Sequence, residues 1–205
     1  MSEFDSRARD WDNNPIHWER SEAIAKNLLK MIPVNPNMKA LEYGAGTGIL
    51  SFLLSESFAE ITLMDNSKEM VQVMHEKVLN SKLKHLKPLL FDLEHSDYHA
   101  RKFDCVFSQM VLHHVADTEQ LLNKFYQILY PNGYLAIADL YPEDGSFHGE
   151  EFTGHKGFDI TDLQAVLEKI GFTHIATKKC YAIKKTIDNT LREFPIFLLV
   201  ASKQK

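Results

Sequence analysis

The stretch "ALEYGAGTGILS", residues 40–51, decides how this chain is read. Gly44, Gly46 and Gly48 alternate with small residues, after a run of strand character and before one of helical character. A glycine turn in that position lets a ligand lie against bare backbone. A carboxylate, Glu42, stands just ahead of the glycines, and no lysine follows directly. The ligand must suit an acidic edge.

Outward from that turn the chain alternates. "MKALEY", "EITLMD", "LKPLLF", "FDCVFS" and "GYLAIADL" are apolar runs of strand length. Between them lie stretches of helical spacing. In "SKEMVQVMHEKVL", Met70, Val71, Met74, Val78 and Leu79 are expected on one face. In "DTEQLLNKFYQILY", Leu121, Leu122, Phe125, Ile128 and Leu129 repeat at three and four, with Asp117 or Thr118 to cap the start. Nearly all-apolar strands separated by helices predict a doubly wound, Rossmann-like α/β fold with a mostly parallel sheet of seven strands. "FTHIATKKCYAIKK" and "FPIFLLVASK" follow each other without a helix, so an antiparallel pair should close the C-terminal edge.

The bulk numbers agree with one soluble domain over residues 1–205. The chain has 205 residues, 44% hydrophobic and 25% charged, which is enough apolar content for a real core. A net charge of −5 argues against nucleic-acid binding by broad phosphate neutralisation. Lys178, Lys179, Lys184 and Lys185 are basic, and they read as a solvated strand face. Cys105 reads as a small core residue. With two cysteines, no signal peptide and no long apolar run, a cytoplasmic location without membrane association is expected.

Two segments fall outside the alternation. Residues 1–35 place Phe4, Ala8 and Trp11 at helical spacing, followed by a second helix with Ile24, Leu28 and Met31. Residues 141–159 have no periodicity and are too long for an ordinary connection, which suggests function.

Three ligands compete for the glycines. A P-loop needs G-x-x-x-x-G-K-[ST], and the lysine has no counterpart here. A dinucleotide fingerprint needs G-x-G-x-x-G, but Ile49 stands at the third glycine. The third reading follows from charge. An ammonium or sulfonium gains roughly 4 kcal/mol from an opposite charge near 4 Å at a surface-like dielectric. S-adenosylmethionine carries both, without phosphate. Asp65, at the end of "EITLMD", stands where an acid accepts from ribose hydroxyls, in NAD enzymes as well. Asp92, at the end of the next strand, can accept from an adenine amino group beside Leu93. Capping of the following turn or helix is the plain alternative for both acids.

"LEYGAGTG", "LMDNSKEMV", "FDLE", "FDCVFSQMVLHHVAD" and "LYPNGYLAIAD" follow in order. In this the chain resembles the class I S-adenosylmethionine-dependent methyltransferases, and most of all their small-molecule, ubiquinone-type branch. The resemblance implies that Glu42, Tyr43, Gly44, Ala45 and Gly46 wall the methionine side. It implies that Asp65 and Asn66 hold the ribose, with Met70 against the adenine and Asp92 and Leu93 at its edge. Ser108 and Gln109 would meet the amino-acid portion through their backbone, and Met110 would lie near the sulfur. The segment "FDSRARDWD" resembles the mobile lid of such enzymes, closed with the help of Trp11.

Methyl transfer from a sulfonium is an in-line displacement in which alignment can supply roughly 7–11 kcal/mol. A base is needed only where the acceptor must lose a proton. Candidates for base or acceptor contact are His114, after the fourth strand, and His148 and His155 in the 141–159 loop. Glu143, Asp144, Glu150 and Glu151 surround the latter two, and a solvated acidic loop is the alternative. "HSDYH", with His95, Asp97 and His99, matches no familiar zinc site, so no metal is expected. The leading expectation is methylation of a small molecule. An NAD(P)-dependent oxidoreductase and a non-catalytic sensor of the cofactor are the alternatives.

Overall fold

The computed structural model describes residues 4–149 and 151–204. Residues 1–3 of the expected lid and Glu150 of the expected loop lie outside the described residues.

The four longest helices each begin where the sequence supplies a side-chain acceptor for the first amides. A 3-10 helix, Asp5–Asn13, leads into α1 (Pro15–Met31), with Pro15 in its first turn and the Asn14 side chain accepting from Ile16 N at 3.1 Å. α2 (Ile49–Leu53) leaves the glycine turn. α3 (Lys68–Ser81) is capped by Ser67, α4 (Thr118–Ile128) by Asp117 and α5 (Ile160–Ile170) by Asp159. α5 stops at Gly171, whose φ of 112° is closed to other residues.

The strands are β1 (Lys39–Tyr43), β2 (Glu60–Asp65), β3 (Leu86–Leu90), β4 (Phe103–Gln109), β5 (Leu129–Leu140), β6 (Phe172–Ile187) and β7 (Thr190–Lys203). They form one sheet in the order β3-β2-β1-β4-β5-β7-β6. The first five strands pair in parallel, while β7 runs antiparallel to both β5 and β6. This is the expected Rossmann-like sheet with its antiparallel edge. Asp188 and Asn189, at φ 48° and 58°, turn β6 into β7, as a two-residue hairpin with left-handed residues requires. Pro88 sits in the edge strand β3, where a missing amide donor is tolerated.

Both faces of the sheet are buried. Along β7, Ile196, Leu198 and Val200 enter one core with Leu28, Leu50 and Met74. Phe197, Leu199 and Ala201 enter the other with Phe125 and Leu167. The period of two explains why the strands read as continuous apolar runs. Cys105 is fully buried, as expected.

Two expectations need correction. Leu79 is 78% exposed. It lies nine residues from Met70, which at 100° per residue is half a turn off the buried face. Lys185 is not part of a solvated strand face. Its Nζ donates to the Phe147 carbonyl at 2.5 Å and lies 4.4 Å from the centre of that ring. Lys178, Lys179 and Lys184 are exposed. Among the described residues no helix is long and apolar enough to cross a membrane.

Candidate active site

The order of strands reverses between β1 and β4, and ligands of open α/β sheets bind outside the carboxyl ends of the strands at such a point. β1 delivers the glycine turn there, and β4 delivers residues 110–115. Gly44 and Gly46 have φ of +66° and +57°. A Cβ on Gly44 would meet Val111 Cγ2 at 2.4 Å, so the first glycine abuts a side chain of the β4 turn. A Cβ on Gly46 would have Trp11 Nε1, at 3.9 Å, as its one neighbour within 4 Å among the described residues. The space over the second glycine is bounded by the lid. Ala45 N donates to Met64 O at 3.0 Å, which ties the turn to β2.

Glu42 is fully buried. Its Oε2 accepts from the amide of Ser51 at 3.1 Å and from the Ser51 hydroxyl, whereas Oε1 has no hydrogen-bond partner among the described residues. The surface-like setting assumed from the sequence is therefore corrected. Burial pushes this carboxyl up to about 8, against the lowering effect of Ser51. Tyr43 does not face the same way as Glu42. It packs edge-on against Phe125 in the opposite core, and its hydroxyl donates to Glu94 at 3.3 Å.

The Glu42 shift has a measurable consequence. Between pH of about 4.5 and about 8 the native state retains a proton that the unfolded chain has released. The stability contributed by the raised carboxyl is complete below that window and is lost as pH rises through it. Wild type should therefore lose thermal stability relative to Glu42→Gln between pH 5 and pH 8, read as the difference in calorimetric Tm. A constant difference across that range would contradict the buried carboxyl.

Asp65 Oδ2 accepts from Gly46 N at 2.7 Å and Oδ1 from Ser67 N at 2.8 Å. The helix cap itself is Ser67, whose hydroxyl oxygen accepts from Met70 N. Asp65 thus clamps the glycine turn to the start of α3, and burial raises its carboxyl. Neighbouring Asn66 is exposed and Met70 is buried. Asp92 was expected to end β3, but the strand stops at Leu90 and Asp92 lies in the following turn. There it accepts from the amides of Glu94 and His95 and pairs with His95 Nδ1 at 2.8 Å, while Leu93 is fully buried.

The segment expected to be a lid includes a docked 3-10 helix, and its anchors escaped sequence reasoning. Asp12 takes hydrogen bonds from the Thr47 hydroxyl and from Lys77 Nζ, which also donates to Thr47 O at 2.9 Å. Asp5 accepts from the Ser67 hydroxyl at 2.6 Å, and Arg9 makes two bonds to Glu76. Trp11 stacks on His17 and meets Phe4 edge-on. The only legible signal was the acid–base alternation of "DSRARDWD".

At the end of β4, Ser108 is buried and Gln109 exchanges hydrogen bonds with the Ser21 hydroxyl of α1 at 3.1 Å. Met110 takes φ +56°, a left-handed conformation that costs an L-residue roughly 1–2 kcal/mol. Its amide donates to Ala138 O at 2.8 Å, which holds the bend.

His113, His114 and His148 come together, with ring centres 4.3, 5.0 and 5.1 Å apart. Buried His113 uses Nδ1 to pair with Asp139, itself fully buried, at 2.6 Å. Desolvation, followed by the neighbouring histidines, holds His114 down to about 3. Desolvation, His113 and Lys185 hold His148 down to about 4. Rings so hard to protonate are weak general bases near neutral pH, so of the two expected roles, base or acceptor contact, their surroundings favour contact. His155 stands apart: its amide donates to His113 O at 2.8 Å and its Nε2 meets Val115 O at 3.0 Å. It fastens the 141–159 loop to the 112–115 turn. His113 follows the fourth strand beside His114 in the sequence, but its pairing with Asp139 was missed because a histidine and an aspartate 26 residues apart carry no local signal.

Residues 41–137, from the glycine turn through most of β5, match the model of a family described as a methyltransferase domain. The chain has the methyltransferase fold. An uncharacterized methyltransferase of Schizosaccharomyces pombe is 31% identical over 119 residues, 55% of this chain and 42% of that protein. In the Haloferax volcanii complex containing the Trm112 methyltransferase activator, a chain aligns with TM-score 0.80 and 21% identity, covering 100% of this chain and 99% of that one. Phosphoethanolamine N-methyltransferase 2 of Haemonchus contortus, solved with S-adenosyl-L-methionine, aligns with TM-score 0.72 and 17% identity over 92% of this chain and 53% of that one. The chain therefore spans about two fifths of the S. pombe protein and about half of the H. contortus chain.

The H. contortus neighbour of this fold holds S-adenosyl-L-methionine, the cofactor expected from the sequence. The residues present fit it: an unpartnered buried oxygen on Glu42, a turn of bare backbone at Gly46, and a lid tryptophan above that turn.

Proposed function

We propose that the chain transfers a methyl group from S-adenosylmethionine to a small-molecule acceptor, in the manner of the ubiquinone-type branch. One observation carries the reading: the orphaned Oε1 of Glu42, at the foot of an open glycine turn. A buried oxygen without a partner is costly, and a cationic ligand relieves it by favouring the ionised carboxylate over the protonated form of the empty site, a gain that a pyrophosphate does not offer. Residues 1–205 act as one domain in this reading, with 1–35 as lid and 141–159 as acceptor-side loop. Glu42, Gly44, Ala45 and Gly46 wall the methionine, with Tyr43 behind them. Asp65 and Asn66 hold the ribose, and Met70, Asp92 and Leu93 bound the adenine. Ser108, Gln109 and Met110 lie along the amino-acid portion, under Trp11. The cofactor supplies the transferable methyl. The chain's part is to align it, exclude water and position the acceptor against His114 and His148.

We place the protein in the cytoplasm, where its two free cysteines are stable. Its acidic balance favours a metabolite over a nucleic acid. Titration calorimetry should give saturable S-adenosylmethionine binding and none with NADH. Labelled methyl transfer across amines, thiols, hydroxyls and phosphoethanolamine should then find an acceptor. NADH binding alone would turn the assignment to an oxidoreductase, and cofactor binding with silence on every acceptor would turn it to a sensor.

A further inference from the structure

We infer that His113, His114 and His148 form a binding site for a divalent transition ion, zinc being the ion the donor set suits best. Each ring offers one nitrogen, and these ligand atoms all lie within 4.8 Å of one another. Zinc–imidazole bonds of 2.0–2.1 Å in a tetrahedron place the nitrogens about 3.3 Å apart, so modest ring rotation closes the site. With Nδ1 of His113 held by Asp139, Nε2 is the nitrogen left for an ion. A buried carboxylate behind a histidine fixes the ring's orientation, as outer partners of metal ligands do. Nothing in a methyl-transfer pocket otherwise demands three imidazoles in mutual contact. The expectation of no metal weighed residues 95–99 together with the 141–159 loop, whereas this group joins the turn after β4 to that loop, 34 residues later.

Three histidines leave a fourth position open, the pattern of catalytic rather than structural zinc. The cluster adjoins the proposed cofactor site through Phe4, which packs edge-on against both His114 and Trp11, the latter bounding Gly46. His148, at the exposed rim, stacks on Phe152. The ion's open position accordingly takes an acceptor with a thiol or hydroxyl, and this part rests on the methyltransferase reading. On binding, the acceptor's proton passes to solvent. Its sulfur or oxygen lone pair then forms the bond to the methyl carbon, the sulfonium–methyl bond breaks, and that electron pair stays on the departing sulfur as a thioether. No histidine need act as base.

The test begins with chelator-treated full-length protein titrated with zinc alone, and separately with magnesium. One zinc per chain at about 1 μM or tighter, with no magnesium uptake, is expected. A cobalt-loaded sample should show the visible d–d bands of a tetrahedral site. Since loss of an outer partner alone weakens metal affinity 10–100-fold, His148→Ala should cost about a hundredfold or more. His99→Ala, an exposed histidine elsewhere, should cost nothing. Absence of stoichiometric zinc binding, or full affinity in both His148→Ala and His148→Gln, would overturn the site. S-adenosylmethionine binding is measured separately on the metal-free protein, so failure of the cofactor reading is seen independently of the metal. Zinc bound as expected but without effect on methyl transfer to dithiothreitol would overturn the acceptor role.

Discussion

Gly44→Ala is expected to lose S-adenosylmethionine binding by at least about a hundredfold while the protein still folds. Two separate costs meet at this position. The backbone is left-handed, which penalises any L side chain by roughly 1–2 kcal/mol, and the new Cβ would come within 2.4 Å of Val111 Cγ2. Either cost could act by moving the turn, so the single variant does not isolate the close approach of the cofactor. Val111→Ala removes the clashing methyls without touching the turn. The double variant Gly44→Ala/Val111→Ala should therefore recover most of the lost Tm yet remain unable to bind. Recovery of binding together with Tm would mean that Gly44 serves only to pack against the β4 turn.

The sheet was legible because both its faces are buried. β1, β2, β4 and the second half of β5 are covered on either side, so each reads as an unbroken apolar run, and the helices between them leave parallel pairing as the arrangement that fits. The hairpin was legible because β6 and β7 have no helix between them. What failed was finer. Leu79 fits a count of threes and fours but lies beyond the edge of the buried stripe, and an edge strand as short as β3 gives no sign that it stops before Asp92.

The site was legible wherever one residue and its local spacing carried the meaning. The glycines, Glu42 and Asp65 are all fixed by their distance from a strand end. Whether an acid is exposed or sealed is not, since Glu42 owes its burial to α2 packing Ser51 over it. The histidines were noticed one at a time, and their meeting was invisible. It depends on Gly157, Gly154 and His155 folding the 141–159 loop back onto Tyr141 and the 112–115 turn. A contact made by the path of a loop leaves no period in the sequence.

Asp139→Ala is expected to give the largest loss of stability of any single change proposed for this protein. The side chain is wholly buried and accepts hydrogen bonds from His113 Nδ1 at 2.6 Å, His113 N at 3.3 Å and Leu140 N at 2.7 Å. It also opposes the charge of Arg20, an α1 residue only 8% exposed whose Nε has no hydrogen-bond partner among the described residues. Burial lowers that guanidinium to about 10, and Asp139 is the first of the groups that resist the shift. Truncation would leave three donors without an acceptor and a buried cation without its anion. Removing one member of a buried pair costs about 3–5 kcal/mol, and for a chain of this size each kcal/mol moves Tm by about 2–4 °C. Chelator-treated Asp139→Ala should therefore melt about 10 °C below wild type. Asp139→Asn, which keeps an acceptor oxygen for His113 but not the charge facing Arg20, should fall between the two. A melting temperature for Asp139→Ala within about 2 °C of wild type would mean that α1, β5 and the histidine turn are held together by apolar packing alone.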